Sequence, residues 1–345
     1  MREEIVGRLH VAYRMSQNII RPEIVSPAPS TDSHRSILLK DRIIAFLNRS
    51  TSKNTRDAYQ RTILEFHRFI GRHLLTATER DVQVWRDKLL HDGQSDPTVA
   101  AKLSVIRSFY AYLMKVMPDV VAYNPADAEL VPPPKIPNAL KGRALTAREV
   151  KHLLVGPDRS KPEGARDFAL MLVMLRLALR VSEVSRIRKS SIVWRDGRWT
   201  LALKVKGGAE EVWPLPADVK EAIDHYLRLD GKRREKWAEN RTADQFIFQP
   251  LENHRTGVKN RGLTRQMVAR IVRKWAAYTG IEGEVTPHDL RRTAITRALN
   301  QGCTYREVQM MSKHKDPKTV MRYDYERDNL ELNPVNRLNY EDECD

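Results

Sequence analysis

Between Asn124 and Gly142 the chain reads NPADAELVPPPKIPNALKG, a stretch with five prolines. Proline lacks a backbone N–H and fixes φ, so neither a helix nor an interior strand can run through it. The residue before each proline is pushed towards extended backbone, and the composition is that of a stiff spacer. A chain of 345 residues interrupted in this way is expected to fold as two domains joined by a linker at 124–142.

The N-terminal side is helical in pattern. Residues 22–34, PEIVSPAPSTDSH, have no apolar period, so 1–35 reads as a short segment followed by a flexible connector. From Ser36 apolar residues recur at helical spacing: Ile43, Ile44 and Leu47; Tyr59, Ile63, Phe66 and Ile70; Val82, Trp85 and Leu89; Leu103, Ile106, Tyr110 and Leu113. Breaks are expected at Ser52 and Asn54, at the capping-box spacing Thr76-x-x-Glu79, and at Asp96-Pro97 before the last helix. The product over 36–123 is a small helical bundle. Its polar faces carry Lys53, Arg56, Arg61, Lys102 and Arg107, which read either as phosphate contacts or as ordinary solvated positions.

Beyond the linker, Thr146-x-x-Glu149 marks a helix start, and a long apolar helix is expected through Phe168, Leu170, Leu172, Leu175 and Leu179. Alternation of Leu201, Leu203 and Val205 with Ala202, Lys204 and Lys206, then Gly207-Gly208, predicts a hairpin with lysine at its tip. Helical patterns follow around Gln266 to Tyr278, Asp289 to Asn300 and Tyr305 to Met311. The fold class expected is mainly α with a small antiparallel sheet.

Charge narrows the function. With 60 Lys and Arg against 44 Asp and Glu the net charge is +16, which suits a polyanionic partner and, in the bland reading, only a well-solvated basic surface. No stretch free of Asp, Glu, Lys and Arg exceeds eight residues, so no membrane span is expected. The N-terminus scatters charge of both signs where a secretory signal would be apolar, which points to the cytoplasm. Cys303 and Cys344 stand far apart with no zinc-type companions, so neither a disulfide scaffold nor a structural metal is expected.

Three clusters carry chemistry. Arg180 follows the apolar run MLVMLRLAL, where an unpaired cation would cost several kcal/mol, so it needs an anion: Glu183 one turn on, a phosphate, or both. In TPHDLRRT, His288 and Arg291 are three apart and share one face of a helix, a proton-transfer group beside a permanent cation. In KHKDPKTVMRYDY, His314 and Tyr323 lie nine residues apart among several bases.

Taken in order, Arg180 in ALRVSEV, Lys206 in VKGG, His288-x-x-Arg291, His314 and Tyr323 closely resemble the tyrosine recombinase, or phage integrase, family. The resemblance runs from about residue 38 and includes the helical bundle and proline-rich connector. Two departures are visible: the family usually has Gly where this chain has Ala178, and Leu-Gly-His where it has Ser312-Lys313-His314.

The resemblance implies a two-domain DNA clamp, with a core-binding bundle at 36–123 and a catalytic domain at 143–329. It implies a site-specific recombinase in which Tyr323 attacks a DNA phosphodiester to give a 3′-phosphotyrosine. Arg180 and Arg291 would meet the charge on the non-bridging oxygens, with Glu183 supporting Arg180 and His314 adding a hydrogen bond. His288, with an ordinary pKa near 6.5, is the candidate acceptor of the phenol proton. Lys206 is the family's usual general acid, with Lys204 the second choice, as Tyr325 is to Tyr323. No cofactor, ATP or metal is implied, and no GxxxxGK[ST] loop, HExxH or evident carboxylate cluster occurs in the sequence.

The implied partners are double-stranded DNA core sites, further copies of the chain up to a tetramer on DNA, and accessory DNA-bending factors, in a nucleoid-associated setting. The tail 330–345 carries five acids and one Arg, with Leu330, Leu332, Val335 and Leu338, and is read as a segment that docks on a neighbouring protomer, or else as an intramolecular cap or a disordered end. Residues before Ser36 are expected to be too few for a separate arm-site-binding domain, which favours a simple recombinase on short core sites. Other readings are DNA relaxation of the type IB topoisomerase kind and a non-catalytic DNA-binding protein.

Overall fold

The computed structural model describes residues 31–136, 142–204, 209–231, 244–250, 261–324 and 334–337. The chain divides into two compact units, Met1–Pro137 and Asn138–Asp345. The expected mainly helical chain with a small antiparallel sheet is what forms.

The first unit holds α1 (Thr31–Asn48), α2 (Lys53–Ile70), α3 (Glu79–His91) and α4 (Asp96–Val116). Ser52 caps α2, its hydroxyl accepting from Thr55 N, and Gly71 ends it in a left-handed turn with φ 63°. The helices meet through the apolar positions that the spacing picks out, with Ile63, Phe66, Val82, Trp85, Leu103, Ile106, Tyr110 and Leu113 all buried. Each full burial contributes roughly 1.5–3 kcal/mol. The Tyr110 hydroxyl enters this core only because it donates to Leu74 O at 2.6 Å.

The cap of α3 differs from the expected one. Its N-cap is Thr78, whose hydroxyl accepts from Asp81 N while Thr78 N donates to Asp81 Oδ2 at 2.7 Å. Thr76 belongs instead to a 3₁₀ turn, Leu74–Thr76, and its hydroxyl donates to His73 O at 2.8 Å. Glu79, free of the cap, accepts from Tyr123 Oη at 2.8 Å. Two overlapping Thr-x-x-acid spacings compete here, and the 3₁₀ turn decides between them. Asp96-Pro97 likewise opens α4 rather than preceding it, because proline in a first turn gives up no hydrogen bond.

The predicted phosphate contacts divide sharply. Arg107 also has a structural role: its Nε donates to Ala126 O at 2.7 Å and its Nη2 to Val131 O at 3.2 Å, so it pins the chain after α4 onto the bundle. Ala126 and Val131 are fully buried there. Lys102 is committed to Glu65 at 2.6 Å with 18% of its side chain exposed. Arg56 donates to Ser50 O at 2.8 Å and Arg61 to Asp57 O at 3.2 Å, while Lys53 stands exposed at the start of α2.

The described part of the second unit begins at Gly142, where φ is 92° and a Cβ would come within 2.4 Å of Asp289 Oδ1, so only glycine fits. There follow α5 (Ala147–Val155), with the expected Thr146–Glu149 capping box, α6 (Pro162–Leu177) and the short α7 (Val181–Val184). The sheet is β1 (Ile192–Arg195), β2 (Arg198–Lys204) and β3 (Glu210–Pro214), antiparallel in that order. Trp194 faces Trp199, Leu201 faces Trp213 and Lys204 faces Glu210. Strand β1 is absent from the sequence reading, because four residues are too few to display a period. The hairpin tip with Lys206 lies outside the described residues.

Then come α8 (Ala217–Leu229), α9 (Arg265–Tyr278), α10 (Pro287–Asn300), α11 (Tyr305–Ser312) and α12 (Pro317–Met321). Helix α6 is apolar nearly all round and forms the centre of the core, with Ala169, Leu170, Met171, Val173 and Met174 fully buried. It stops at Leu177, two residues short of the predicted Leu179. A buried pair fastens it to α9: Arg166 Nε reaches Asp167 Oδ1 at 2.9 Å, and Asp167 Oδ2 accepts from Trp275 Nε1 at 2.8 Å.

Replacing Arg107 by Ala is expected to lower the stability of the first unit by about 2 kcal/mol, since two carbonyls lose a charged donor, whereas Lys53→Ala stays within about 0.5 kcal/mol. Urea unfolding followed by tryptophan fluorescence distinguishes the two; equal midpoints for both variants would contradict the pinning role.

Candidate active site

Three breaks in helical structure build the site. At the first, Ala178 ends α6 in the left-handed region, with φ 50° and ψ 34°, and turns the chain into Leu179 and Arg180. Arg180 is the N-cap of α7. Its N–H donates to Glu183 Oε2 at 2.6 Å and its Nη1 to Glu183 Oε1 at 2.9 Å, so one carboxylate both caps the helix and holds the guanidinium. The arginine is not buried as its apolar approach suggests: 42% of its side chain is exposed.

At the second break Thr286 and Asp289 form a capping box at the start of α10, with Pro287 in its first turn. That start places His288 at the exposed end, and Arg291 one turn on points inward with 2% exposure. Arg291 Nη1 donates to Ala178 O, and Nη2 donates to Ser312 O at 2.7 Å and lies 3.0 Å from His314 Nε2. Its hydrogen-bond partners among the described residues are all uncharged. Burial first, then the Arg180 charge, push its pKa down to about 10, against the pull of Glu183, which still leaves it cationic at neutral pH.

At the third break Lys313 ends α11 with φ 53° and ψ 41°, and the next residue, His314, turns towards Arg291. A guanidinium only donates, so His314 Nε2 is the acceptor, and the ring proton sits on Nδ1, 2.9 Å from Ser312 Oγ. Burial, then Arg291, Arg180 and His288, push the His314 pKa down to about 4. His288 is also lowered, by desolvation first and then by Arg292 and Arg291, with Asp289 opposing.

Tyr323 follows α12 with 3% exposure, its ring stacked on His314 at 5.8 Å between centroids. Its segment is held from two sides: Thr296 Oγ1 donates to Tyr323 O at 3.2 Å, and Tyr305 Oη to Asp324 Oδ2 at 2.5 Å. The fold therefore brings together Arg180, Glu183, His288, Arg291, His314 and Tyr323. Lys206 and Tyr325 lie outside the described residues, and Lys204 is exposed at the end of β2. Ser312, Thr296, Tyr305 and the left-handed role of Ala178 escape the sequence reading, since hydroxyls and an alanine at such places have no period or motif to mark them. Among the described residues no group of three or more His, Cys, Asp or Glu is placed to hold a metal, and no helix is long and apolar enough to cross a membrane.

What this arrangement can do is bind an oxyanion between two guanidiniums, beside a phenol and two neutral imidazoles. The model of the phage integrase family matches residues 143–329, which hold every one of these side chains. The chain belongs to the phage integrase family. Residues 45–116 match the N-terminal SAM-like domain of phage integrases. Integrases of this kind are tyrosine recombinases, enzymes that cleave and rejoin DNA strands, and the chain is of that class.

Two relatives named tyrosine recombinase XerD illustrate the distance. The one from Lacticaseibacillus casei is 27% identical over 80% of this chain and 89% of its own. The one from Xanthomonas axonopodis pv. citri (strain 306) is 30% identical over 69% of this chain and 74% of its own. Among solved structures, a lambda integrase dimer bound to a COC′ core site matches with a TM-score of 0.63 at 17% identity, covering 84% of this chain and 95% of that one. XerH bound to palindromic difH in a post-cleavage complex gives 0.61 at 16% identity, covering 92% of this chain and 90% of that one.

The two imidazoles set a pH dependence. Both are depressed in the folded state, so an unfolded chain takes up protons near 6.5 that the folded one refuses until about pH 4 at His314. The His314 contribution to stability is present above about pH 6.5 and is lost as pH falls towards 4, and that of His288 is lost in the same direction. An imidazole NMR titration of the protein free of DNA is expected to find His314 still neutral at pH 5.5, and a His314 midpoint near 6.5 would contradict the described environment.

Proposed function

We propose that this recombinase opens DNA through Tyr323 and uses Arg180, Arg291, His288, His314 and Lys206 to carry the charges and protons of that step. The observation that carries the reading is Arg291, a buried cation whose described partners are neutral, set beside a second guanidinium and touching the histidine stacked on Tyr323. A buried positive charge without a matching carboxylate is poised for an external anion. A DNA phosphodiester supplies it.

In the reaction a Tyr323 Oη–P bond forms and the P–O5′ bond breaks. The phenol proton passes to His288, neutral at pH 7 because its pKa is lowered, and a proton reaches the leaving O5′ from Lys206. Arg180 and Arg291 meet the charge growing on the non-bridging oxygens, worth roughly 3–4 kcal/mol for each well-placed donor. Glu183 keeps one edge of Arg180 occupied and its remaining donors aimed. His314 Nε2 accepts from Arg291 in the DNA-free state; a phosphate drawing off that donor also favours the imidazolium, whose Nε2–H then donates to the phosphate oxygen. The products are a 3′-phosphotyrosine and a free 5′-hydroxyl, and attack by a hydroxyl of another strand reverses the exchange without ATP.

The substrate under this reading is a pair of short double-stranded core sites, held by 36–123 and 143–329 and joined through the linker at 124–142. Lys53, Arg56, Lys102 and Arg107 are the phosphate contacts proposed on the first domain, and binding weakens steeply with salt. Four protomers act together, each passing its acidic tail to a neighbour, with accessory DNA-bending factors setting direction. A solved lambda integrase tetramer bound to a Holliday junction is one precedent for such an assembly. The task is integration or excision of a mobile element or resolution of replicon dimers, carried out on the nucleoid in the cytoplasm.

Nicked duplexes from a library of the surrounding genome, incubated without metal or ATP and run on a denaturing gel, test this. Wild type and Tyr325→Phe are expected to form a covalent adduct and Tyr323→Phe none, while Arg291→Ala slows adduct formation by about 10²–10³-fold. An adduct lost with Tyr325→Phe and kept with Tyr323→Phe would overturn the assignment.

A further inference from the structure

Ala178, Asp196 and Lys313 are the non-glycine residues with positive φ among the described residues. Asp196 sits in the β1–β2 turn, where such a conformation is ordinary. Lys313 is different: a long side chain occupies a helix-ending position that glycine would fill at lower cost. A residue kept in this region persists only when its surroundings over-determine it, and here they do. Lys313 N closes α11 on Gln309 O at 2.8 Å. Its Nζ lies 3.3 Å from Glu211 Oε2 and 5.3 Å from the centroid of Trp213, both on β3, leaving 23% of the side chain exposed.

The two residues before it are held as well. Trp213 Nε1 donates to Met311 O at 2.7 Å, and Arg291 Nη2 donates to Ser312 O at 2.7 Å. Three consecutive residues are thus tied from the strand and from the buried arginine. The next side chain is His314, which Gln309 Nε2 steadies by donating to its carbonyl at 2.8 Å.

We infer that Lys313 is a positioning residue: anchored on Glu211 and Trp213 of β3, it holds the left-handed turn that sets His314 against Arg291 and Tyr323. The inference rests on the active-site reading above for its catalytic consequence, though not for the placement of His314 itself. Glycine at this position would relieve the backbone and release the anchor together. Stability and activity are therefore expected to move in opposite directions, which a residue serving the fold alone does not produce.

The test compares wild type with Lys313→Gly, Lys313→Met, Lys313→Arg and Glu211→Gln in the full chain. Single-turnover adduct formation on saturating nicked duplex is expected to slow by about ten- to a hundredfold in Lys313→Gly, Lys313→Met and Glu211→Gln, and to be largely kept in Lys313→Arg. Adding Glu211→Gln to Lys313→Met costs nothing further, because both remove one contact. Affinity for the same duplex, measured in a Tyr323→Phe background, stays unchanged, and Lys313→Gly melts no lower than wild type.

Imidazole NMR of the DNA-free protein supplies a readout independent of cleavage: in Lys313→Gly the His314 midpoint rises from about 4 towards the ordinary 6.5. A Lys313→Gly protein with unchanged His314 titration and wild-type cleavage overturns the inference. Parallel loss of affinity and rate also overturns it, since that marks Lys313 as a direct phosphate contact. If wild type forms no adduct on any duplex, the reading of Tyr323 fails, and the NMR titration still decides whether Lys313 places His314.

Discussion

Arg291 is a full positive charge taken almost completely out of water, and the second unit is arranged around keeping it there. Its donors reach the carbonyl of Ala178 after α6, the carbonyl of Ser312 at the end of α11 and the ring of His314. Both carbonyls lie where a helix stops, because only there are backbone carbonyls left without an intrahelical partner. The guanidinium thus does for two helix ends what a cap does for one. Neutral acceptors satisfy its hydrogen bonds, and Glu183 opposes its charge without pairing with it directly, which is the arrangement the proposed anion-binding role uses.

The same charge also acts on the histidines. Burial first, and then the neighbouring guanidiniums, Arg292 and Arg291 at His288 and Arg291 and Arg180 at His314, lower both imidazoles in the absence of DNA. Under the proposed mechanism, neutrality suits His288 as acceptor of the phenol proton and leaves His314 able to become a donor to a phosphate. Arg180 differs from Arg291 in being open to solvent and already paired, with Glu183 fixing one edge of the fork. One arginine is preset by burial and the other by a carboxylate, which are the two physical routes to a rigid cation.

The two departures from the family pattern meet the structure at the same kind of place. Ala178 and Lys313 both sit where the backbone is left-handed, the conformation that explains glycine there. Alanine occupies the turn wholly buried, in the apolar cluster that also holds Ala294 and Ile295. Lysine tolerates it because its side chain is tied to β3.

From the residues alone came the four helices of the first unit, α5, α6, α9, α10 and α11 of the second though not α7, α8 or α12, the hairpin of β2 and β3, and the order Arg180, His288-x-x-Arg291, His314, Tyr323, because periodicity and short motif spacing are local properties that survive in one dimension. What remained undecided was every choice between two locally equal options. Thr76 and Thr78 offer the same capping pattern, and a 3₁₀ turn chose Thr78. Arg107 and Lys53 look alike in the sequence as exposed bases, and only the return of Ala126 and Val131 onto the bundle gives Arg107 its hydrogen bonds to two carbonyls. The tautomer of His314, the burial of Arg291 and the anchor of Lys313 depend on residues from 21 to more than 100 positions away along the chain. Contacts at that separation are set by packing, and no local pattern in the sequence records them.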